Sequence, residues 1–206
     1  MAGYPKNIYS WASGGKIVTS FCLLTYLMIM GNLWKDLDTG KNPPEEVYAV
    51  VECVKGERNK YEYEKDFSAI FLDRVLHSNV HYPGDYGFIP RTWYDDEDPL
   101  DVLVLVGDPT FSGCVINARP VGLMKMDDSG EQDDKVIAVP VDDPRFNHIE
   151  DIEDVPKQIQ NEIDEFFKTY KNLEPGKTVQ ILGWEGKSAA IGAINRGMEL
   201  YLEKFS

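Results

Sequence analysis

Positive charge is scarce in this chain. Its 206 residues carry 21 lysines and arginines against 35 aspartates and glutamates, a net charge of −14. A surface of that sign does not favour a nucleic-acid backbone, which argues against a general nucleic-acid binder. The same balance repels a small anionic substrate unless cations intervene. Cysteine is scarcer still: Cys22, Cys53 and Cys114 are scattered, odd in number and without metal-like spacing. They read as free thiols in a reducing compartment, hence a cytoplasmic protein. The three histidines, His77, His81 and His148, have no spacing that builds a zinc site and read as structural. Long apolar runs are also missing. The stretch at residues 17–30 is broken by Thr19, Ser20 and Thr25 and falls short of the ~20 residues that span a bilayer.

Residues 1–29 lack acids altogether, and their only bases are Lys6 and Lys16. Three readings stay open for them. They form a weak anchor or signal-like segment in contact with a membrane, or they pack on the domain, or they are upstream sequence read from an early start codon. Met28 and Met30 are both available as starts. The domain proper is then residues 30–206.

What is present describes one globular domain. Hydrophobic residues make up 43% of the chain, enough for a real core. β-Branched and alternating patterns predict strands over residues 47–54, 60–65, 69–75, 115–126 and 135–140. Residues 100–106 are apolar throughout, as a strand buried on both faces would be. Residues 81–90 read as irregular, punctuated by Pro83, Gly84, Gly87 and Pro90. A helix is predicted over 156–171, where Ile159, Ile163, Phe166, Phe167 and Tyr170 share a face. A closing strand over 178–184 leads to a second helix over 188–204. Its inward side is Ala190, Ile191, Ile194, Met198, Tyr201 and Leu202, and Gly192 and Gly197 weaken it by roughly 1 kcal/mol each. The expected fold class is α+β: a small closed five-stranded OB-like β-barrel covered by two α-helices.

Two acidic runs stand out. Asp95-Asp96-Glu97-Asp98-Pro99-Leu100-Asp101 leads directly into the apolar strand. Like charges so close are costly unless cations neutralise them, and oxygen-only donors suit hard ions such as Mg²⁺ or Mn²⁺. An EF-hand does not fit, because its glycine and closing glutamate are missing and Pro99 intrudes. The second run, residues 127–134, again joins two apolar stretches. Taken alone each run is a solvated turn. Two of them on one small barrel can converge on a multi-metal site. Tyr82-Pro83-Gly84-Asp85-Tyr86-Gly87 reads either as a packing corner or as a rigid loop aiming phenol hydroxyls. Trp93 and Trp184 read as packing residues.

Lys60-x-Glu62, Asp73-Arg74, Tyr82-Pro83-x-x-Tyr86-Gly87, Asp96-x-Asp98-Pro99-Leu100-Asp101, Lys125-Met126, Asp133-x-Lys135 and Tyr170-Lys171 occur in order along the chain. Together they resemble the family I soluble inorganic pyrophosphatases, most closely their short prokaryotic and archaeal forms. The resemblance runs from about Trp34 to the C-terminus. It implies hydrolysis of pyrophosphate to two phosphates, with Mg²⁺ as cofactor and Mn²⁺ or Co²⁺ as substitutes. It further implies a homohexamer. Position by position, Asp96, Asp101 and Asp133 would hold a first metal, and Asp101 would be shared with a second. Asp128 and Asp133 would hold a third. Glu52 and Glu62 would assist a further metal-bound phosphate. Asp98 would be the general base, and Tyr86 and Lys135 would support the nucleophile. Lys60, Arg74, Tyr170 and Lys171 would grip phosphate oxygens. Glu97 departs from the pattern, at a position usually small or Asp, and either points to solvent or adds a stray metal contact. Two rival readings are a non-catalytic polyphosphate or ion binder on the same scaffold and a nucleic-acid-binding barrel.

Overall fold

The computed structural model describes residues 31–205. The readings of residues 1–29 lie outside the described residues. The elements in chain order are β1 (Val47–Cys53), β2 (Asn59–Glu64), β3 (Ala69–Val75), β4 (Asp85–Phe88), β5 (Asp101–Val104) and β6 (Val115–Asp128). They continue with β7 (Glu131–Gln132), β8 (Lys135–Pro140), α1 (Lys157–Thr169), β9 (Val179–Gly186) and α2 (Lys187–Phe205). No helix among the described residues is long and apolar enough to cross a membrane.

Strand pairing runs β1-β4-β5-β8-β6, and β6 pairs again with β1. This closes a five-stranded ring, as the sequence predicts. Closure leaves no free edge on these five strands. The 14-residue β6 is the hub, because it also pairs with β7 and β9. The hairpin β2–β3 forms its own two-stranded sheet.

Successive strand residues point to opposite faces, and here both faces are covered. Val102 and Val104 of β5 join Val136 and Ala138 of β8 in one core, with Ala190, Ala193 and Ile194 of α2. Leu103 and Ile137 join a second core with Ile163, Phe166, Phe167 and Tyr170 near α1. Burial on both sides explains why residues 100–106 lack alternation.

Three local expectations change. The segment at 81–90 is not irregular throughout: it contains β4, with Val50 paired to Phe88 and Val51 to Gly87. Its glycines and proline hid the strand. Gly87 is required there, since a Cβ would lie 1.8 Å from the Val50 carbonyl oxygen. Leu202 does not face inward, being 59% exposed. Gly197 is more than a weak point in α2. It is buried, a Cβ on it would come within 3.2 Å of Thr92 Cβ, and its carbonyl accepts the Trp93 N–H at 2.9 Å. The missing side chain lets the helix lie close to the segment before the first acidic run.

Candidate active site

The register of the ring builds the site. Asp101 opens β5 and stands beside Lys135, the first residue of parallel β8. Both lie on the α1 side of the sheet, in line with Leu103 and Ile137. Lys135 is only 1% exposed at its side chain, and its Nζ reaches Asp101 at 2.5 Å and also contacts Asp133. From β4, the Tyr86 hydroxyl donates to Asp101 Oδ2 at 2.6 Å. The start of β4 is tied down by buried Asp85, which accepts from the Lys55 N–H at 2.9 Å and from the Thr110 hydroxyl at 2.7 Å.

Asp96, Asp101 and Asp133 each offer a carboxylate oxygen within 4.8 Å of the others. These three line a cavity of about 250 Å³ with Glu52, Lys60, Glu62, Tyr86, Asp98, Tyr170 and Lys171. Ten of the predicted site residues therefore share one concavity. Of the other three, Lys135 stands behind Asp101 and Asp133, and Asp128 is reached through its ion pair with Lys171. Arg74 is held beside the cavity on β3, paired with Asp73 and, at 2.9 Å, with Glu174.

The electrostatics show an excess of negative charge. Burial, then the charges of Asp101 and Asp133, push the Asp96 carboxyl up to about 8. Asp101 rises to about 6 through burial and Asp133, against the opposing pull of Lys135 and the Tyr86 hydroxyl. Burial raises Glu52 to about 8, although its carboxylate accepts the Tyr63 N–H at 2.6 Å. Burial alone would depress Lys135, but Asp101 and Asp133 outweigh it and hold the ammonium above its usual range. Burial raises the Tyr86 and Tyr170 phenols, so both remain O–H donors. Asp128 goes the other way: burial would raise it, and its bond to Lys171 lowers it.

One ammonium thus serves three clustered carboxyls, and burial and mutual repulsion drive two of them, Asp96 and Asp101, to take up protons. A divalent cation would supply the same compensation without protonation. The donors are all oxygen and lie close enough to share an ion, so the residues present fit a hard divalent cation.

Every predicted gripping base is already paired with an acid. Lys60 contacts Glu62 and lies 3.5 Å from Asp73; Lys171 contacts Asp128; Arg74 holds Asp73 and Glu174. The same acids keep Lys60 and Arg74 above their usual values although burial opposes this. Sequence reasoning missed Lys65, which lines the cavity and contacts Asp98 Oδ1. No local pattern ties residues 33 apart, and only the fold of the β2–β3 hairpin brings them together. Glu97 resolves simply: it takes φ 62° and is 83% exposed, away from the three clustered carboxylates.

A family model described as Inorganic pyrophosphatase matches residues 49–202. The inorganic pyrophosphatase of Haloferax volcanii is 71% identical over 177 residues, covering 86% of this chain and all of that protein. That of Halobacterium salinarum is 63% identical over 177 residues, with the same coverage. Among solved structures, inorganic pyrophosphatase from Thermus thermophilus superposes with a TM-score of 0.81 at 46% identity, covering 84% of this chain and 99% of that one. The strand ring that carries the carboxylate cavity on its α1 side is therefore a shared architecture, and this chain belongs to the inorganic pyrophosphatase family.

Proposed function

We propose that the chain hydrolyses inorganic pyrophosphate to two orthophosphates, with Mg²⁺ as the working ion and Mn²⁺ or Co²⁺ as substitutes. The observation that carries this reading is the convergence of Asp96, Asp101 and Asp133 around the buried Lys135 in one cavity. Asp96, Asp101 and Asp133 would hold the first ions, Asp128 would join Asp133 for a further one, and Glu52 and Glu62 would assist. When bound, such ions neutralise the carboxylates and the substrate and make a coordinated water more acidic.

The chain's own residues do the rest. Asp98 is open to solvent at 56% of its side chain and keeps one oxygen clear of Lys65. It accepts the proton of the attacking water. The water oxygen bonds to one phosphorus, and the bridging oxygen leaves with the other phosphate. Tyr86 donates to Asp101 and, with Lys135, keeps that carboxylate aimed into the cavity. Lys60, Arg74, Tyr170 and Lys171 hold phosphate oxygens and the charge that builds on the leaving group. In the structure Lys60, Arg74 and Lys171 are paired with Glu62, Asp73, Glu174 and Asp128. Neutralising the acids releases them, so cations and pyrophosphate bind as a set.

The domain is read as residues 30–206, supported by the match to residues 49–202 and by the contact unit Asn32–Ser206. The reading carries a homohexamer, from resemblance to the short family members, and a cytoplasmic location, which agrees with free Cys53 and Cys114. Light scattering at sixfold the chain mass tests the first. Phosphate release tests the function: turnover is expected with Mg²⁺ and none with EDTA. Calorimetry is expected to show no pyrophosphate binding in EDTA. Binding there at the Mg²⁺ affinity would defeat the cation-bridged reading.

A further inference from the structure

One buried acid has no part in the cavity. Asp134 follows Asp133 between β7 and β8, but where Asp133 meets Lys135 and the cavity, the Asp134 side chain meets Tyr94 on the side that holds α2. None of its side-chain surface is exposed (0%), and it lies 3.3 Å from Lys125 Nζ. Its Oδ1 accepts the Met126 N–H at 3.3 Å. Its Oδ2 accepts Gln132 Nε2 at 2.7 Å and the Tyr94 hydroxyl at 3.2 Å. A buried carboxylate needs such donors. What matters is which segments supply them.

Tyr94 closes the turn of the first acidic run. Its N–H donates to the Asp98 carbonyl at 2.8 Å, and its own carbonyl accepts the Glu97 N–H at 3.1 Å. Met126 faces the second run with both polar groups: its carbonyl accepts the Asp133 N–H at 2.9 Å, while its N–H donates to Asp134. Asp134 is thus bonded at once to the turn that carries Asp96 and Asp98 and to the end of β6, whose Met126 carbonyl holds the Asp133 N–H. The carboxylates in front of it repel one another, and something must hold their backbones together.

We propose that Asp134 is a positioning residue that locks the two acidic runs to each other from behind the cavity and so sets cation affinity. This rests on the reading that Asp96 and Asp133 hold a divalent cation. Asp134→Asn keeps the size and one acceptor, but turns an amide N–H₂ toward Gln132, Tyr94 and the Lys125 ammonium. Tyr94→Phe removes a single hydroxyl at the other end of the link.

The test is Mn²⁺ titration of the full chain, followed by paramagnetic resonance, with Mg²⁺-dependent phosphate release alongside. Asp134→Asn is expected to weaken Mn²⁺ affinity by about tenfold, as loss of a group supporting metal ligands commonly does. The Mg²⁺ concentration for half-maximal rate rises in parallel, and turnover at saturating Mg²⁺ returns to near the wild-type value. Tyr94→Phe gives a smaller loss in the same direction and adds little in the Asp134→Asn background. Unchanged Mn²⁺ affinity in both folded variants overturns the proposal. So does a lowered melting temperature without any change in affinity, which is all that a merely structural role would give. If Asp134→Asn does not fold, Tyr94→Phe decides alone. A wild-type chain that binds no Mn²⁺ overturns the cation reading itself, and the proposal with it.

Discussion

The two acidic runs look alike in sequence and are spent differently. In the first, Asp96 and Asp101 enter the carboxylate cluster, Asp98 meets Lys65 at the cavity wall, and Asp95 turns outward to Arg196. In the second, only Asp133 joins that cluster. Asp128 pairs with Lys171, Asp127 accepts the Gly130 N–H at 2.9 Å within the turn, and Asp134 faces backward. Density of negative charge therefore does not mark the chemistry. The strand pleat and the turn geometry sort neighbouring acids into ligand, turn and anchor, and each loses something different when neutralised.

Four measurements sharpen that contrast. The largest effect is expected in the first run: Asp98→Asn lowers turnover in phosphate release by about 10²-fold or more, the usual weight of a general base. Mn²⁺ affinity stays near wild type, and normal rates across the pH range would assign the base elsewhere. Next, Asp101→Ala strips buried Lys135 of one of its two carboxylates. Breaking a buried pair costs about 3 kcal/mol, so denaturant unfolding should shift by that order and Mn²⁺ affinity should fall too. Unchanged affinity would contradict its assignment as a ligand.

The third measurement is pH. The raised carboxyls of Asp96, Asp101 and Glu52 bind protons more tightly in the folded chain than in the unfolded one. The stability they contribute is present at low pH and is lost as pH climbs toward their folded values, about 8 for Asp96, about 6 for Asp101 and about 8 for Glu52. In EDTA the melting temperature is expected to fall by a few degrees between pH 6 and pH 8. Mg²⁺ should shrink that fall, and a rise over the same interval would reverse the sign of this account. The smallest effect is at Glu97, exposed and at φ 62°. Glu97→Asn suits that conformation and is expected to stabilise by a few tenths of a kcal/mol at most. Activity and Mn²⁺ affinity should not move, and any loss of affinity would show Glu97 to be a hidden ligand.

Much of this molecule was legible in advance because its signals are local. The apolar run before Val106, the alternation of β2 and the shared face of α1 are short-range patterns, and the observed elements begin and end within a few residues of the expected ones. β4 was hidden because Gly84 and Gly87 read as breakers. In fact a Cβ at either would strike backbone, at 2.6 Å for Gly84 and 1.8 Å for Gly87. Leu202 failed for a related reason: helical periodicity extends to the end of α2, whereas the core does not, and the residue is left exposed.

The sequence by itself determined the kinds of donor available, the closed ring built from β-rich segments, and the family to which the motifs belong. Those follow from side-chain chemistry and short-range periodicity, which are written residue by residue. Only the tertiary structure decided which acid faces which partner: Lys65 on Asp98, Tyr86 on Asp101, Arg74 on Glu174 and Tyr94 on Asp134. Such pairs are set by strand register and by the turns that ring closure brings together across tens of residues; shifting β4 or β5 by one residue, for example, would turn Tyr86 or Asp101 to the opposite face.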